Sequence, residues 1–334
     1  MRSSYAMFTA LLGAMMLCPS KAEGVEFNNE WMPEINGTLR PRYEWSTSTG
    51  DMRFQVRNAR VSLNGKIAPI ITYRAEVDLC QLGAVRCLDV WGRIDLSRTV
   101  AVQVGQMRMP FTLGSYRPPH VYLFANRPFT DKQVGSPRQV GAKGIFQLPK
   151  VPFSVEAGVF NTSAITNHSV WQDHLGYAGK VRYILDRKLT FLAGAQSLCP
   201  LDTRVNDFSG AVSWDDGRIL LEGEYVYRHP TNDTYSPGHA FNIMGDYKMN
   251  VKVGYFNRLS FQARWDGMTD MWDGTSDAML PARNRVTLGT TLSYVSGGLR
   301  TDLRLNFEQC FYHHGVTPTA SEGNKLVAEM VIRF

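Results

Sequence analysis

One segment concentrates the side chains with the clearest chemical role, which is to bind or repel ions. Met109–Arg138 contains four basic residues and a single acid, Asp131, so it has a net charge of +3. The basic residues are Arg117, Arg127, Lys132 and Arg138. Rings of Arg or Lys at a narrow passage favour anions, and a low-dielectric wall focuses their field. The segment is therefore a candidate anion-binding constriction.

The same segment cannot be a central β-strand, although alternating stretches lie on both sides of it. Its prolines are Pro110, Pro118, Pro119, Pro128 and Pro137. It is longer than a hairpin loop, and its aromatic residues favour burial: Phe111, Tyr116, Tyr122, Phe124 and Phe129. We expect residues 109–138 to fold into the lumen of a barrel and to narrow it. Equally, its cations could anchor the loop to the wall through ion pairs.

Other reactive side chains do not form a catalytic pattern. All seven histidines fall in expected loops, and surface histidines are commoner than the metal sites that Asp173-His174 or His313-His314 could form. No nucleophile motif or phosphate-cradling motif occurs, so we expect no catalytic residue, metal or cofactor. Cys80 and Cys87 flank one expected loop, where a disulfide and two free thiols are equally compatible with the sequence.

The N-terminus has the features of a cleaved secretory signal at residues 1–22. Arg2 precedes the apolar stretch Ala6–Cys18, and small residues end the segment at Ala22. Removing it lowers the net charge from +6 to +4, because Arg2 and Lys21 are lost. No later stretch reaches 18 apolar residues, and no basic cluster typical of nucleic-acid binding occurs. Residues 23–334 are then the exported domain.

Polar and apolar residues alternate through most of that domain, which indicates strands. In Ile71–Leu79, for example, Arg74 and Glu76 face opposite to Tyr73 and Val77. We count sixteen such strands, from Ile35–Trp45 to Lys325–Phe334. Short turns alternate with longer polar loops, as in bacterial outer-membrane barrels. The sequence therefore predicts an all-β transmembrane antiparallel barrel of about sixteen strands.

The C-terminal strand supports this prediction. Leu326, Ala328, Met330 and Ile332 share one face with the terminal Phe334. The strand resembles those that the barrel assembly machinery recognises, with Phe334 as the assembly signal. A hydrophobic terminal edge would promote aggregation unless it pairs with the first strand and closes the barrel.

The polar faces of the strands carry charges of both signs. The basic residues that we expect to line the lumen include Arg40, Arg42, Arg60, Arg74, Lys143 and Arg264. Acids such as Glu76, Asp78 and Glu308 share these faces. We expect these charges largely to cancel, so that the inward loop sets any ion preference.

The runs FQVRNARVSLNGKI, YRAEVDL, LDVWGRIDL, VAVQVGQMRMPF and RQVGAKGIFQL, with LSFQARWDGMTD further on, resemble the phosphate-selective porin O and P family. The likeness is clearest over residues 52–160 and 259–334. The resemblance implies a trimeric, sixteen-stranded channel of a Gram-negative outer membrane, in contact with lipid and passing small anions such as phosphate or polyphosphate. A general or sugar-conducting porin, a structural or adhesin barrel, and an enzymatic barrel are the alternatives.

Overall fold

The computed structural model describes residues 32–135, 138–162, 168–232, 234–274, 276, 278–313 and 315–334. The expected signal segment, residues 1–22, lies outside the described residues. From Pro33 onward the chain forms one compact unit. Its main element is a closed antiparallel barrel of sixteen strands, as the alternation predicts, in which each strand pairs with its neighbours in sequence.

The strands of the barrel are β1 Glu34–Ser46, β2 Met52–Ala68, β3 Ile71–Gln81, β4 Ala84–Asp95, β5 Val100–Arg108, β6 Arg138–Gln147, β7 Phe153–Phe160, β8 Gly176–Leu185, β9 Leu189–Leu198, β10 Val205–Asp215, β11 Ile219–Pro230, β12 Gly238–Val253, β13 Phe256–Met268, β16 Arg283–Ser296, β17 Leu299–Tyr312 and β18 Lys325–Arg333. Two further short strands, β14 Met271–Trp272 and β15 Met279–Leu280, form a separate hairpin. No helix in the described part of the chain is long and apolar enough to cross a membrane.

The first and last strands close the barrel. β1 pairs with β18 in the register Thr38 opposite Arg333. One residue further along, the Gly37 N–H donates to the Phe334 carbonyl at 2.8 Å, and the Phe334 N–H donates to the Gly37 carbonyl at 3.2 Å. This closure leaves neither terminal strand as a free edge.

Exposure alternates along the strands and identifies the two faces. In β1, Arg40 and Arg42 are buried towards the interior, whereas Leu39 and Trp45 are exposed outside. The outer face carries large apolar side chains around the barrel. They include Val104, Phe208, Ile243, Leu288 and Met330. An apolar exterior around a polar interior is the arrangement of a transmembrane barrel.

Two expected connections differ from those in the structure. The expected loop 80–87 is instead a tight hairpin, because Leu82 and Gly83 both adopt positive φ and let β3 and β4 continue to the turn. The sequence pattern also predicts a turn at Asn250 and a strand that begins at Val251, but the turn lies further along, at Gly254, whose φ is +56°. Val251 therefore belongs to the end of β12 and not to β13.

The structure also corrects the expected position of two histidines and decides between the two alternatives for Cys80 and Cys87. His229 and His239 lie in β11 and β12, not in loops, because these strands extend further than their hydrophobic cores indicate. Cys80 and Cys87 are free thiols. The register places Cys87 opposite Val77, three residues before Cys80, so the hairpin does not bring the two side chains together.

The segment after β5 folds inside the barrel, as expected. Met109, Phe111 and Thr112 have no exposed surface. The chain then forms a 3₁₀ turn at Pro119–Val121 and a short helix at Phe129–Lys132 before β6 begins. We call residues 109–135 the inner loop.

Candidate functional site

The wall of the barrel holds the inner loop through its backbone carbonyl groups. Arginines of three distant strands donate to successive loop residues. Arg40 donates to the Ala125 carbonyl at 2.8 Å, Arg264 to Asn126 at 2.7 Å, and Arg285 to Arg127 at 2.8 Å. An irregular segment in the lumen has no ladder partner, so these side chains satisfy its polar backbone.

Acidic and amide side chains of the wall accept hydrogen bonds from the N–H groups of the loop. The carboxylate of Glu224 accepts from the Leu113 N–H at 2.7 Å, and that of Asp266 accepts from the Phe129 N–H at 3.0 Å. The amide oxygen of Asn306 accepts from the Ala125 N–H at 2.7 Å. The loop is therefore fixed at several points to β11, β13 and β17, on the wall across the lumen from β5 and β6.

An apolar cluster completes the attachment of the loop. Phe111, Phe129 and Val134 pack against Val226 of β11 and Met271 of the β14–β15 hairpin, and all five are buried. The buried aromatic residues have the role that the sequence predicted for them. Tyr116 differs, since 41% of its surface stays exposed.

Three of the four loop cations predicted from the sequence pair with acids. Arg117 forms two hydrogen bonds with Glu222, and Lys132 lies 3.2 Å from Glu322. Burial alone would lower the pKa of Arg117, but Glu222 raises it above its ordinary value. Burial lowers the pKa of Lys132, and Glu322 offsets this only in part.

The other two predicted loop cations have opposite environments. Arg138, the first residue of β6, donates to Asp89 at 2.7 Å and lies 3.8 Å from Glu76. Arg127 forms no ion pair with any described acid, and its side chain lines an open cavity. Arg117, Lys132 and Arg138 thus have the geometry of anchors, whereas Arg127 has that of a free cation.

The basic residues predicted on the wall all face inward, and each has an acidic partner. Arg40 contacts Glu329 at 2.7 Å, Arg42 contacts Glu44 at 3.1 Å, Arg60 contacts Glu76 at 3.1 Å, Arg74 contacts Asp89 at 3.6 Å, Lys143 contacts Glu156 at 2.6 Å, and Arg264 contacts Asp266 at 3.2 Å. These pairs place the arginine heads in fixed positions along the lumen.

The loop divides the open space of the lumen into two cavities. One, of about 540 Å³, lies at the end of the short turns and is lined by Arg187, Lys188 and Asp215 among others. The second, of about 590 Å³, lies at the end of the long loops, where Ser321 lines it. Tyr122 lines both cavities, so it marks the boundary between them.

Both cavities are strongly basic, which the sequence did not predict. The long-loop cavity is lined by thirteen Arg or Lys side chains and three Glu, and the short-turn cavity by nine Arg or Lys and three acids. Many wall acids lie behind the arginines and are fully buried, as in Asp78, Asp266 and Asp302. The paired carboxylates therefore lie behind their arginines, and the lining cations without an ion pair add net positive charge to the lumen.

Arg57 is the functional candidate that sequence reasoning missed. The β1–β2 register shifts between Arg40 and Pro41, which face Asn58 and Val56, so Arg57 is the additional residue of a β-bulge. Its side chain lines the long-loop cavity, and its Nη1 atom has no hydrogen-bond partner. The break in alternation at Arg57-Asn58 was the signal that could have identified it.

Two titratable loop residues report the positive potential. Burial raises the pKa of Tyr122, but Arg108 and Arg127 lower it more strongly, so the net shift is downward. Burial, followed by Arg333 and Arg300, lowers the pKa of His120 to about 4. The lowered pKa of Tyr122 therefore indicates an excess of nearby cations, whereas the lowered pKa of His120 reflects burial first and nearby cations second.

A closed sixteen-stranded barrel with an inward loop is the architecture of outer-membrane porins. The solved structures that share it include an anion-selective porin from Comamonas acidovorans, with 13% identity, a TM-score of 0.65 and coverage of 91% of this chain and 99% of that one. They also include the outer membrane channel DcaP of Acinetobacter baumannii, with 12% identity, a TM-score of 0.62 and coverage of 93% and 99%.

A trimer form of OmpT from Vibrio cholerae has 13% identity, a TM-score of 0.60 and coverage of 91% and 98%. At these identities the structures establish the fold alone. The family model of phosphate-selective porin O and P matches residues 44–183, which confirms the resemblance over that part of the chain. No curated protein matches the sequence. The family match and the fold together support an outer-membrane channel.

Proposed function

We propose that this protein is an outer-membrane channel that prefers small anions, with phosphate-like ions as the expected class. Solutes cross from the long-loop cavity to the short-turn cavity past Tyr122. The inner loop narrows this path, and Arg57 and Arg127 supply unpaired positive charge beside it. Arg117, Lys132 and Arg138 act mainly by holding the loop in place.

The observation that carries this proposal is the sign of the charge facing the lumen. Thirteen basic side chains against three acids line one cavity, and nine against three line the other. Within a Debye length of about 8 Å at physiological salt, such charges are incompletely screened. They lower the energy of an anion in the narrow path and raise that of a cation.

The test is the zero-current potential of the purified protein in a planar bilayer under a KCl gradient. We expect the zero-current potential to have the sign of a chloride-selective channel. We also expect added phosphate to block the chloride current. A potential of the cation-selective sign would contradict the proposal. A near-zero potential with rapid sugar uptake into liposomes would instead support the alternative of a general or sugar-conducting porin.

We also propose that the channel is a homotrimer in the outer membrane, delivered there by a cleaved signal at residues 1–22. One structural neighbour is described as a trimer form. Lipid surrounds the apolar exterior in this proposal, and the assembly machinery reads Phe334. Mass analysis of the detergent-solubilised protein and N-terminal sequencing of its mature form would test these points.

A further inference from the structure

The exterior of the barrel carries a groove that neither the channel nor the inner loop uses. It has a volume of about 660 Å³ and runs across β10–β13 and β16. Its lining is almost wholly apolar and includes Trp214, Leu221, Gly223, Gly245, Ala263 and Trp265.

The floor of the groove is formed where three neighbouring strands carry small residues. Gly245 pairs with Leu221 and Ala263, and Gly223 pairs with Ile243 on the same face. A Cβ added at Gly223 would meet no atom within 4 Å, and its φ is not in the left-handed region. Neither packing nor backbone conformation of this chain therefore requires glycine there.

Two tryptophans form the walls of the groove. Trp265 is held in place by an edge-to-face contact with Phe241, at 5.0 Å between ring centroids. Trp214, on β10, lies opposite Leu221 on the other side of the floor. The groove therefore lies between apolar ridges and has the shape of an extended hydrocarbon chain. It stays open because the residues of its floor have no large side chains.

A cationic site lies beyond the short-turn end of this groove. Arg218 is three residues from Leu221, roughly 10 Å along the strand. Its guanidinium lies over the Tyr247 ring, at 5.0 Å from the centroid, and also donates to the Tyr247 hydroxyl. One carboxylate oxygen of Asp216 accepts the backbone N–H groups of Arg218 and Ile219, and the Arg218 guanidinium forms no ion pair with any described acid.

We propose that this groove binds one phospholipid, with an acyl chain between Trp214 and Trp265 and the phosphate at Arg218. The inference depends on the membrane location proposed above but not on ion preference. Short turns lie on the periplasmic side of bacterial barrels, so the lipid belongs to the periplasmic leaflet. A phosphodiester matches the charge of Arg218, and a saturated chain matches the apolar groove.

The test is the phospholipid retained by protein purified from outer membranes in a mild, lipid-free detergent and analysed by native mass spectrometry. We expect wild-type protein to carry phospholipid. Gly223→Leu should carry about tenfold less, because the new side chain displaces several methylene groups. The matched control is Gly210→Leu, since a Cβ at Gly210 also meets no atom within 4 Å but Gly210 lies outside the groove.

Arg218→Gln provides a second variant that leaves the apolar groove intact, and it should lower phospholipid retention without changing heat-modifiable mobility. Equal retention in wild type, Gly223→Leu and Arg218→Gln would overturn the proposal. So would bound lipopolysaccharide in place of phospholipid, or loss of oligomer in Gly223→Leu, which would identify a second copy as the occupant. If the protein conducts anions but carries no phospholipid after purification, the lipid site is wrong and the proposed function still stands.

Discussion

Arg57 and Arg127 differ from the paired cations of the lumen because neither forms an ion pair with any described acid, a property that Arg86 and Arg108 of the same cavity share. Arg57 and Arg127 both line the long-loop cavity, and Arg127 is near enough to Tyr122 to lower the pKa of its phenol. Each paired cation has a carboxylate behind it, and that carboxylate balances much of its charge. At the residue scale, ion preference should therefore depend more on unpaired guanidinium groups, such as those of Arg57 and Arg127, than on paired ones.

Arg57→Gln and Arg127→Gln should each lower the anion-to-cation permeability ratio. A unit charge about 4 Å from a passing ion is worth about 1 kcal/mol even in bulk water, which corresponds to about fivefold. Zero-current potentials in planar bilayers measure the ratio. Arg93→Gln is the matched control, since Arg93 pairs with Asp95 at 2.8 Å and lies outside both cavities. An equal effect in all three variants would refute the special role of Arg57 and Arg127.

Tyr122 should make anion preference depend on alkaline pH. Its pKa is lowered by Arg108 and Arg127 despite burial, so its phenol ionises below the ordinary value of about 10. Below that pKa the side chain is neutral; above it, a phenolate places negative charge at the boundary between the cavities. We expect the anion-to-cation ratio to fall as pH rises towards 10. Tyr122→Phe should reduce this fall, and an unchanged fall in that variant would assign it to another group.

At the scale of elements, the inner loop is stable because the barrel wall replaces the hydrogen-bond partners that a strand would supply. Arginines bind its carbonyl groups, and carboxylates bind its N–H groups. The Arg117–Glu222 pair joins the loop to β11, and the side chain of Glu222 is 2% exposed. The Lys132–Glu322 pair is far more exposed, at 43% and 35%.

Glu222→Gln should loosen the loop and destabilise the folded barrel by about 3 kcal/mol, because it leaves the charge of Arg117 without its partner. Single-channel recordings should show greater open-channel current noise, and the folded band should disappear from gels at a lower temperature. Lys132→Gln is the comparison, with an expected change of about 0–1 kcal/mol because its ion pair is exposed. Unchanged noise and stability in Glu222→Gln would mean that the apolar cluster alone holds the loop.

At the scale of the whole molecule, the closing seam joins the first and last strands by two hydrogen bonds between Gly37 and Phe334. The Phe334 ring also covers Gly37, where an added Cβ would lie 2.1 Å from the ring carbon Cζ. The terminal aromatic side chain therefore has a structural partner in addition to its proposed role as an assembly signal.

Deletion of Phe334 should reduce the amount of assembled protein more than the amount synthesised. Gly37→Ala should have a weaker effect in the same direction, because the new methyl group displaces the Phe334 ring. Heat-modifiable protein in isolated outer membranes, compared with total protein, measures both effects. Gly210→Ala serves as the control, since a Cβ there meets no neighbouring atom. Normal membrane levels of the truncated chain would contradict both roles of Phe334.

The sequence alone determined the strand number, the two faces of the wall and the inward position of the loop. Each of these depends on local properties: alternation with a period of two, prolines that exclude a strand, and aromatic residues that require burial. The inward direction of Arg40, Arg42 and Arg264 could be read from the same pattern.

Only the tertiary structure decided which charges remain unpaired. Arg117 and Glu222 are 105 residues apart, and Arg285 and Arg127 are 158 apart, so no local pattern relates them. Their contacts depend on the register of the closed barrel and on the path of the loop through it. The sequence could therefore predict that charges of both signs share the lumenal faces, but not which of them remain unpaired. Alternation reports the face of a residue, whereas ion pairing in three dimensions determines which charge meets the solute.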